Sequence, residues 1–205
     1  MIESLRELLT PLGFAETERA SFLRRSDAER VTQIVAPYRY DTGRLTVEVG
    51  FLCPELTTLA LPELSVSDPP EITHCDAGLG FSFRLETLLK EPRIEGWDEA
   101  DALARTQAHL VGHLETLCLR YATLAGWSDY YDERLERYGG AMDWACFAWV
   151  QLVLGGDAER VRHAIGCFAA GERGRFPGEL ERLRDAFAER FDDELPLLVP
   201  EDELG

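Results

Sequence analysis

His109 and His113 stand four residues apart in His-Leu-Val-Gly-His, a spacing that sets two imidazoles on one face of a helix, where they could ligate a metal. The metalloprotease version of that pattern needs a Glu directly after the first His, and Leu110 occupies that place. Both histidines project onto the flank of an apolar stripe beside Arg105 and Arg120, where positive neighbours disfavour a cation. No metal and no cofactor is therefore expected. His74-Cys75-Asp76 puts three reactive side chains in a row. On a strand His74 and Asp76 share one face and Cys75 points to the other, so the three do not converge as a triad. Gly78-Leu79-Gly80 lacks the third glycine and the following helix of a dinucleotide loop. A G-x-S-x-G nucleophile elbow does not occur. No catalytic residue is assigned.

The segment from Trp127 to Glu133 is of a different kind. Trp127, Asp129, Tyr130, Asp132 and Glu133 mix large amphipathic aromatics with carboxylates, the composition of a surface that receives a basic partner. These five are the candidate binding residues, with Tyr131 expected in the core.

The elements that must hold these residues change character along the chain. Residues 2–10 read as a short helix with Leu5, Leu8 and Leu9 on one side, stopped by Pro11 and turned by Gly13. Phe14 to Arg25 predicts two short strands or one bent strand, and a polar turn follows at 26–29. The β-branched run from Val31 to Ala36 suits a strand buried on both faces. After a hairpin turn at Asp41-Thr42-Gly43, Leu45, Val47, Val49 and Phe51 alternate with Thr46, Glu48 and Gly50, which predicts a strand with one face on the core. Pro54, Pro62, Pro69 and Pro70 mark a long connection. Two further strands are expected at 72–75 and 79–85.

After Gly96-Trp97 the period becomes helical. A long helix is expected from about 98 to 124, and a second one capped by Ser128 and ended by Gly139-Gly140. A nearly all-apolar, central helix follows at 142–154, then a helix capped by Asp157, and a last one started by Pro177. The expected class is α+β: an N-terminal helix and a small antiparallel sheet over residues 1–97, then an all-helical region over 98–205, packed as one compact unit.

Composition limits what such a protein does. The chain has 205 residues, 38 acidic against 21 basic, and a formal net charge of −17. Residues 1–97 hold 16 acids and 10 bases, residues 98–205 hold 22 and 11, so the excess is greater in the helical region. A field of this sign repels nucleic acid and anionic membranes and accelerates encounter with a basic protein. The longest apolar run, 145–154, is too short to span a bilayer, and the first residues lack a basic n-region, so a cytoplasmic location is expected. Five cysteines stand singly with no C-x-x-C pair, which argues against a disulfide framework and a structural zinc site.

The order of features also resembles a bacterial family known as a domain of unknown function, sometimes found near loci of the toxin–immunity kind. Leu9-Thr10-Pro11-Leu12-Gly13-Phe14, the hairpin around Phe22-Leu23-Arg24, the strands Val31 to Val35 and Leu45 to Phe51, the Pro-rich connection, His74, Trp97 and the long helix carry the likeness over about residues 5–138. Ala36-Pro37-Tyr38 departs from that family's polar stretch, and the helices after Gly140 extend beyond it. The acidic excess, the lack of a catalytic motif and this resemblance together lead to the expectation of an interaction protein, immunity- or inhibitor-like, that binds a basic partner such as a nuclease. The alternative is an enzyme with a cleft site using His74 or the His109/His113 pair.

Overall fold

Alternating strands build an antiparallel meander between residues 15 and 84, with short connections up to β4 and a long one, carrying a helix, before the last strand. The computed structural model describes residues 1–25, 30–63, 71–73, 75, 80–91, 95–172 and 177–193, the side chains of Glu172 and Pro177 excepted. Helix α1 (Ile2–Leu9) buries Leu5 and Leu9 and passes through a 3₁₀ turn into β1 (Ala15–Glu16). Strands β2 (Phe22–Arg25), β3 (Thr32–Arg39), β4 (Leu45–Leu52) and β5 (Phe81–Arg84) complete an antiparallel sheet in the order β1-β2-β3-β4-β5. Helix α2 (Pro54–Ala60) starts on its proline, with the Cys53 thiol accepting from the Leu56 amide at 3.4 Å. A single turn, α3 (Leu85–Leu88), follows β5 directly, and α4 (Glu99–Tyr121) is capped by Asp98, whose carboxylate accepts from the Asp101 amide at 2.9 Å. The expected α+β class is what the chain adopts.

Both faces of β4 are covered. Leu45, Val47, Val49 and Phe51 form one face, where the Tyr121 ring of α4 lies 5.8 Å from Phe51, 4.7 Å from Phe81 and 4.9 Å from Phe83. Thr46, Glu48, Gly50 and Leu52 form the other, and all are buried. The alternation alone assigns that second face to solvent; the structure gives it polar partners and a second apolar cluster of Ile34, Leu52 and Cys75, with Leu23 and Ile72 against it. A Cβ on Gly50 would overlap Ile72 Cδ1 and come within 2.7 Å of Cys75 Sγ. Gly50→Ala is therefore expected to cost about 1–3 kcal/mol by overpacking, read as a lower urea midpoint; an unchanged midpoint contradicts this close approach. Residues 72–75 differ from expectation: Thr73 and Cys75 are helical, and the Cys75 amide donates to the Ile72 carbonyl at 2.9 Å. Trp97 bridges β4 instead, exchanging two backbone hydrogen bonds with Leu45 at 2.8 and 2.9 Å. It closes a cluster with Leu85 and Ala102.

The chain divides by packing into two units, residues 1–124 and 125–205. The long helix thus belongs with the sheet, and the boundary falls later than the change of periodicity after Trp97. From the boundary onward, α5 (Leu124–Arg137), α6 (Ala141–Leu154), α7 (Ala158–Glu172) and α8 (Pro177–Phe191) follow in order. Helix α6 is the expected central one: Ala145 and every residue from Phe147 to Val153 are buried. Val161, Ala164, Ile165 and Phe168 of α7 and Leu183 and Phe187 of α8 complete the core. The expected cap at Ser128 is corrected. Helix α5 starts at Leu124, and Ser128 is buried inside it, its hydroxyl accepting from the Gln151 amide at 2.6 Å. A buried amide needs such a partner, so this contact fixes α5 against α6.

Candidate functional site

The aromatic–acidic segment falls on α5, and the helix distributes its side chains to different surroundings. Trp127 is completely buried and Tyr131 nearly so, which makes both anchors of the helix rather than surface. Burial pushes the Tyr131 phenol well above its ordinary range and raises the neighbouring Cys146 thiol to about 11. Tyr130 is half-buried, and its oxygen accepts from Arg134 Nη1 at 3.2 Å. Arg134 also makes a two-pronged pair with Asp143 at 2.7 and 3.2 Å, joining α5 to the start of α6. Asp129 and Glu133 are exposed. Asp132 lines an open cleft.

That cleft, of about 590 Å³, is lined by Asp132, Leu135, Glu136, Trp144, Phe147, Arg160 and His163. Its size lies within the usual range for small-ligand sites, about 300–1,000 Å³. Each wall comes from one helix through neighbours three or four residues apart: 132 and 136 on α5, 144 and 147 on α6, 160 and 163 on α7. Inside it Arg160 Nη2 contacts both Asp132 oxygens at 2.7 and 2.5 Å, and its guanidinium carbon lies 4.8 Å above the Phe147 ring. The His163 ring meets Trp144 edge to face at 5.4 Å, and its Nε2 lies 3.6 Å from Cys167 Sγ. Glu136 has no basic partner among the described residues. Trp144 is the half-buried member of the four tryptophans; Trp97, Trp127 and Trp149 are all buried.

Sequence reading missed Glu136, Trp144, Phe147 and Arg160. The signal available for Glu136 was its position four residues after Asp132; the other walls carry no local mark. The acidity is also shared more evenly than the division at residue 97 suggests. Residues 125–205 hold 18 acids and 9 bases, against 20 and 12 in residues 1–124, although the helical unit is the shorter.

The first unit holds a second polar cluster, on the Thr46/Glu48 face of the sheet. Arg84 Nε pairs with Glu48 Oε1 at 2.6 Å, directly across the β4–β5 ladder, and its Nη1 donates to Tyr40 Oη at 3.2 Å. The guanidinium lies 4.5 Å over Tyr38 and 5.2 Å over Tyr40. Glu86, only 2% exposed, accepts from the hydroxyls of Tyr40 and Thr46. Donors meet acceptors throughout, as a buried polar network requires. Burial first, and then the hydrogen bond to Glu86, pushes the Tyr40 phenol up to about 12. Because the folded state keeps this proton while an unfolded chain releases it near 10, Tyr40 contributes stability below pH 10 that is lost as pH rises toward 12. Alkaline denaturation should thus start later on this account for Tyr40→Phe than its neutral-pH stability implies; identical pH profiles for the two proteins exclude the link.

The histidines expected on the helix flank are found there: His109 is exposed and His113 half-buried on α4. Among the described residues no group of three or more His, Cys, Asp or Glu could hold a metal ion. His74 and Asp76, the Gly78-Leu79 pair, the turn at 26–29, Pro69-Pro70 and the acidic tail lie outside the described residues. Among the described residues no helix is long and apolar enough to cross a membrane. Compared with family models, with curated proteins and with solved structures, the chain matches none.

Proposed function

We propose that this chain is an acidic protein–protein interaction module, immunity- or inhibitor-like, that binds a basic partner through its helical unit. The observation that carries the reading is the α5–α7 cleft, where carboxylates and aromatic rings meet and one carboxylate, Glu136, has no paired cation among the described residues. Charge supports it from a longer range. A net −17 attracts a basic surface before contact, and the cleft supplies the place where that attraction becomes a fixed geometry. The polar clusters of the sheet unit are satisfied internally and serve as scaffold on this reading.

A salt series tests it. Titrating the full chain with a nine-residue arginine peptide, binding should weaken about tenfold or more between about 20 and 200 mM salt, as the Debye length shortens. Absence of binding at the lowest salt, or an affinity indifferent to salt, overturns the reading.

A further inference from the structure

We infer that the cleft reads one side-chain chemistry, the guanidinium of an arginine on the partner, with Glu136 as its carboxylate and Trp144 as its stacking wall. The inference rests on the interaction reading above and makes it specific.

The cleft already contains one complete example of this recognition. Arg160 occupies it, its Nη2 shared between both Asp132 oxygens at 2.7 and 2.5 Å and its guanidinium laid over Phe147 at 4.8 Å. A planar cation whose edge meets a carboxylate while its face rests on a ring is what arginine supplies and lysine does not. A second acid and a second ring line the same cleft, Glu136 and Trp144, and the protein provides them with no guanidinium among the described residues. Trp144 is held in place by two perpendicular neighbours, His163 at 5.4 Å and 89° and Phe147 at 6.5 Å and 86°. The cleft volume of about 590 Å³ leaves room for a side chain and part of its backbone beside Arg160. A cation entering there meets a carboxylate without having to break the Arg160–Asp132 pair.

The test uses the whole chain labelled with ¹⁵N, read at its tryptophan indole N–H signals, the Trp144 signal being assigned by its loss in Trp144→Phe. A blocked Gly-Gly-Arg-Gly-Gly peptide should shift the Trp144 signal saturably and leave those of Trp97, Trp127 and Trp149 in place. The lysine peptide should bind about threefold or more weakly, and the uncharged citrulline peptide should not bind. Glu136→Gln should weaken the arginine peptide about tenfold or more, the ordinary worth of a charge-assisted bond. Because Glu136 is exposed, the variant's other three indole signals should be unmoved, which verifies its fold.

A still Trp144 signal, an equal response to citrulline or lysine, or an unaffected Glu136→Gln titration overturns the inference. A stronger response to spermidine assigns the cleft to a polyamine, and a Trp144 shift on simple concentration of the protein assigns it to a second copy; either also overturns it. If these peptides fail at the cleft while the nine-arginine peptide still binds in a salt-dependent way, the interaction reading stands without this pocket.

Discussion

Replacing Trp149 with alanine is expected to destabilise the helical unit by about 3–5 kcal/mol, the usual cost of removing a buried aromatic. Trp149 is fully buried at the middle of α6, the helix that packs on both α7 and α8. Its indole N–H also donates to Glu179 Oε1 at 2.5 Å, and Glu179 has only 11% of its side chain exposed. Alanine would open a cavity and leave that carboxylate with Arg182 alone. Since domains of this size have a total stability of about 5–15 kcal/mol, the loss would be a large share. Trp149→Phe separates the two contributions, because it keeps most of the ring while removing the donor; it should cost about 1–3 kcal/mol. Urea unfolding followed by circular dichroism, together with amide exchange in α6 to α8, checks both. Protection unchanged in Trp149→Ala would show that α6 is not the centre of this unit.

Arg84→Met is the second large effect, expected in the sheet unit at about 2–4 kcal/mol, below the cost of breaking a fully buried pair because the arginine is 40% exposed. The loss falls on Glu48, whose side chain is 5% exposed and whose paired cation is Arg84. Methionine retains much of the volume against Tyr38 and Tyr40 but cannot answer a buried carboxylate. Adding Glu48→Met should restore most of the lost stability, since the penalty is an uncompensated charge rather than missing packing. A double-mutant cycle at neutral pH reads this directly. If Glu48→Met fails to rescue, the contribution of Arg84 lies in its stacking on the two tyrosines.

These two sites also show where sequence reading reached its limit. Trp149 sits in a run whose apolar residues go all round the helix, so its burial was legible from residues 142–154 alone. Glu48 was not legible in the same way. Alternation along β4 says that two faces differ in polarity, but it does not say whether the polar face meets water or meets Arg84. Long-range pairing across the ladder supplied that answer. Ser128 failed for a related reason: an N-cap residue ahead of an acidic, aromatic stretch has the local chemistry of a helix start. The burial of Trp127 extends α5 back to Leu124 and turns the serine toward Gln151 instead. Tertiary context overrode a sound local preference.

The candidate site was half visible. Asp132 was named from composition, and Trp127 was named with it, yet one lines the cleft and the other never meets solvent. A stretch of mixed aromatics and acids on a helix sends residues three and four apart to a common side and their neighbours elsewhere, so composition could not separate the two. The remaining walls come from α6, joined to α5 by the Arg134–Asp143 pair and the Ser128–Gln151 bond, and from α7, joined to α5 by the Arg160–Asp132 pair. None of these pairings follows from local spacing. The charge, by contrast, was fully legible, and the structure adds that one carboxylate of the cleft, Glu136, has no paired cation among the described residues.

Whether binding belongs to that cleft or to the acidity of the whole chain is decided by moving one charge. Glu136→Lys and Glu181→Lys change the net charge equally, the first within the cleft and the second on the exposed face of α8. Titrated with the nine-arginine peptide at one fixed salt concentration, Glu136→Lys should bind about tenfold or more weakly than the parent. Glu181→Lys should stay within about twofold, the effect of a distant exposed charge. Equal losses in the two variants would contradict the account, because they would place the affinity in the net charge and leave the cleft without a role.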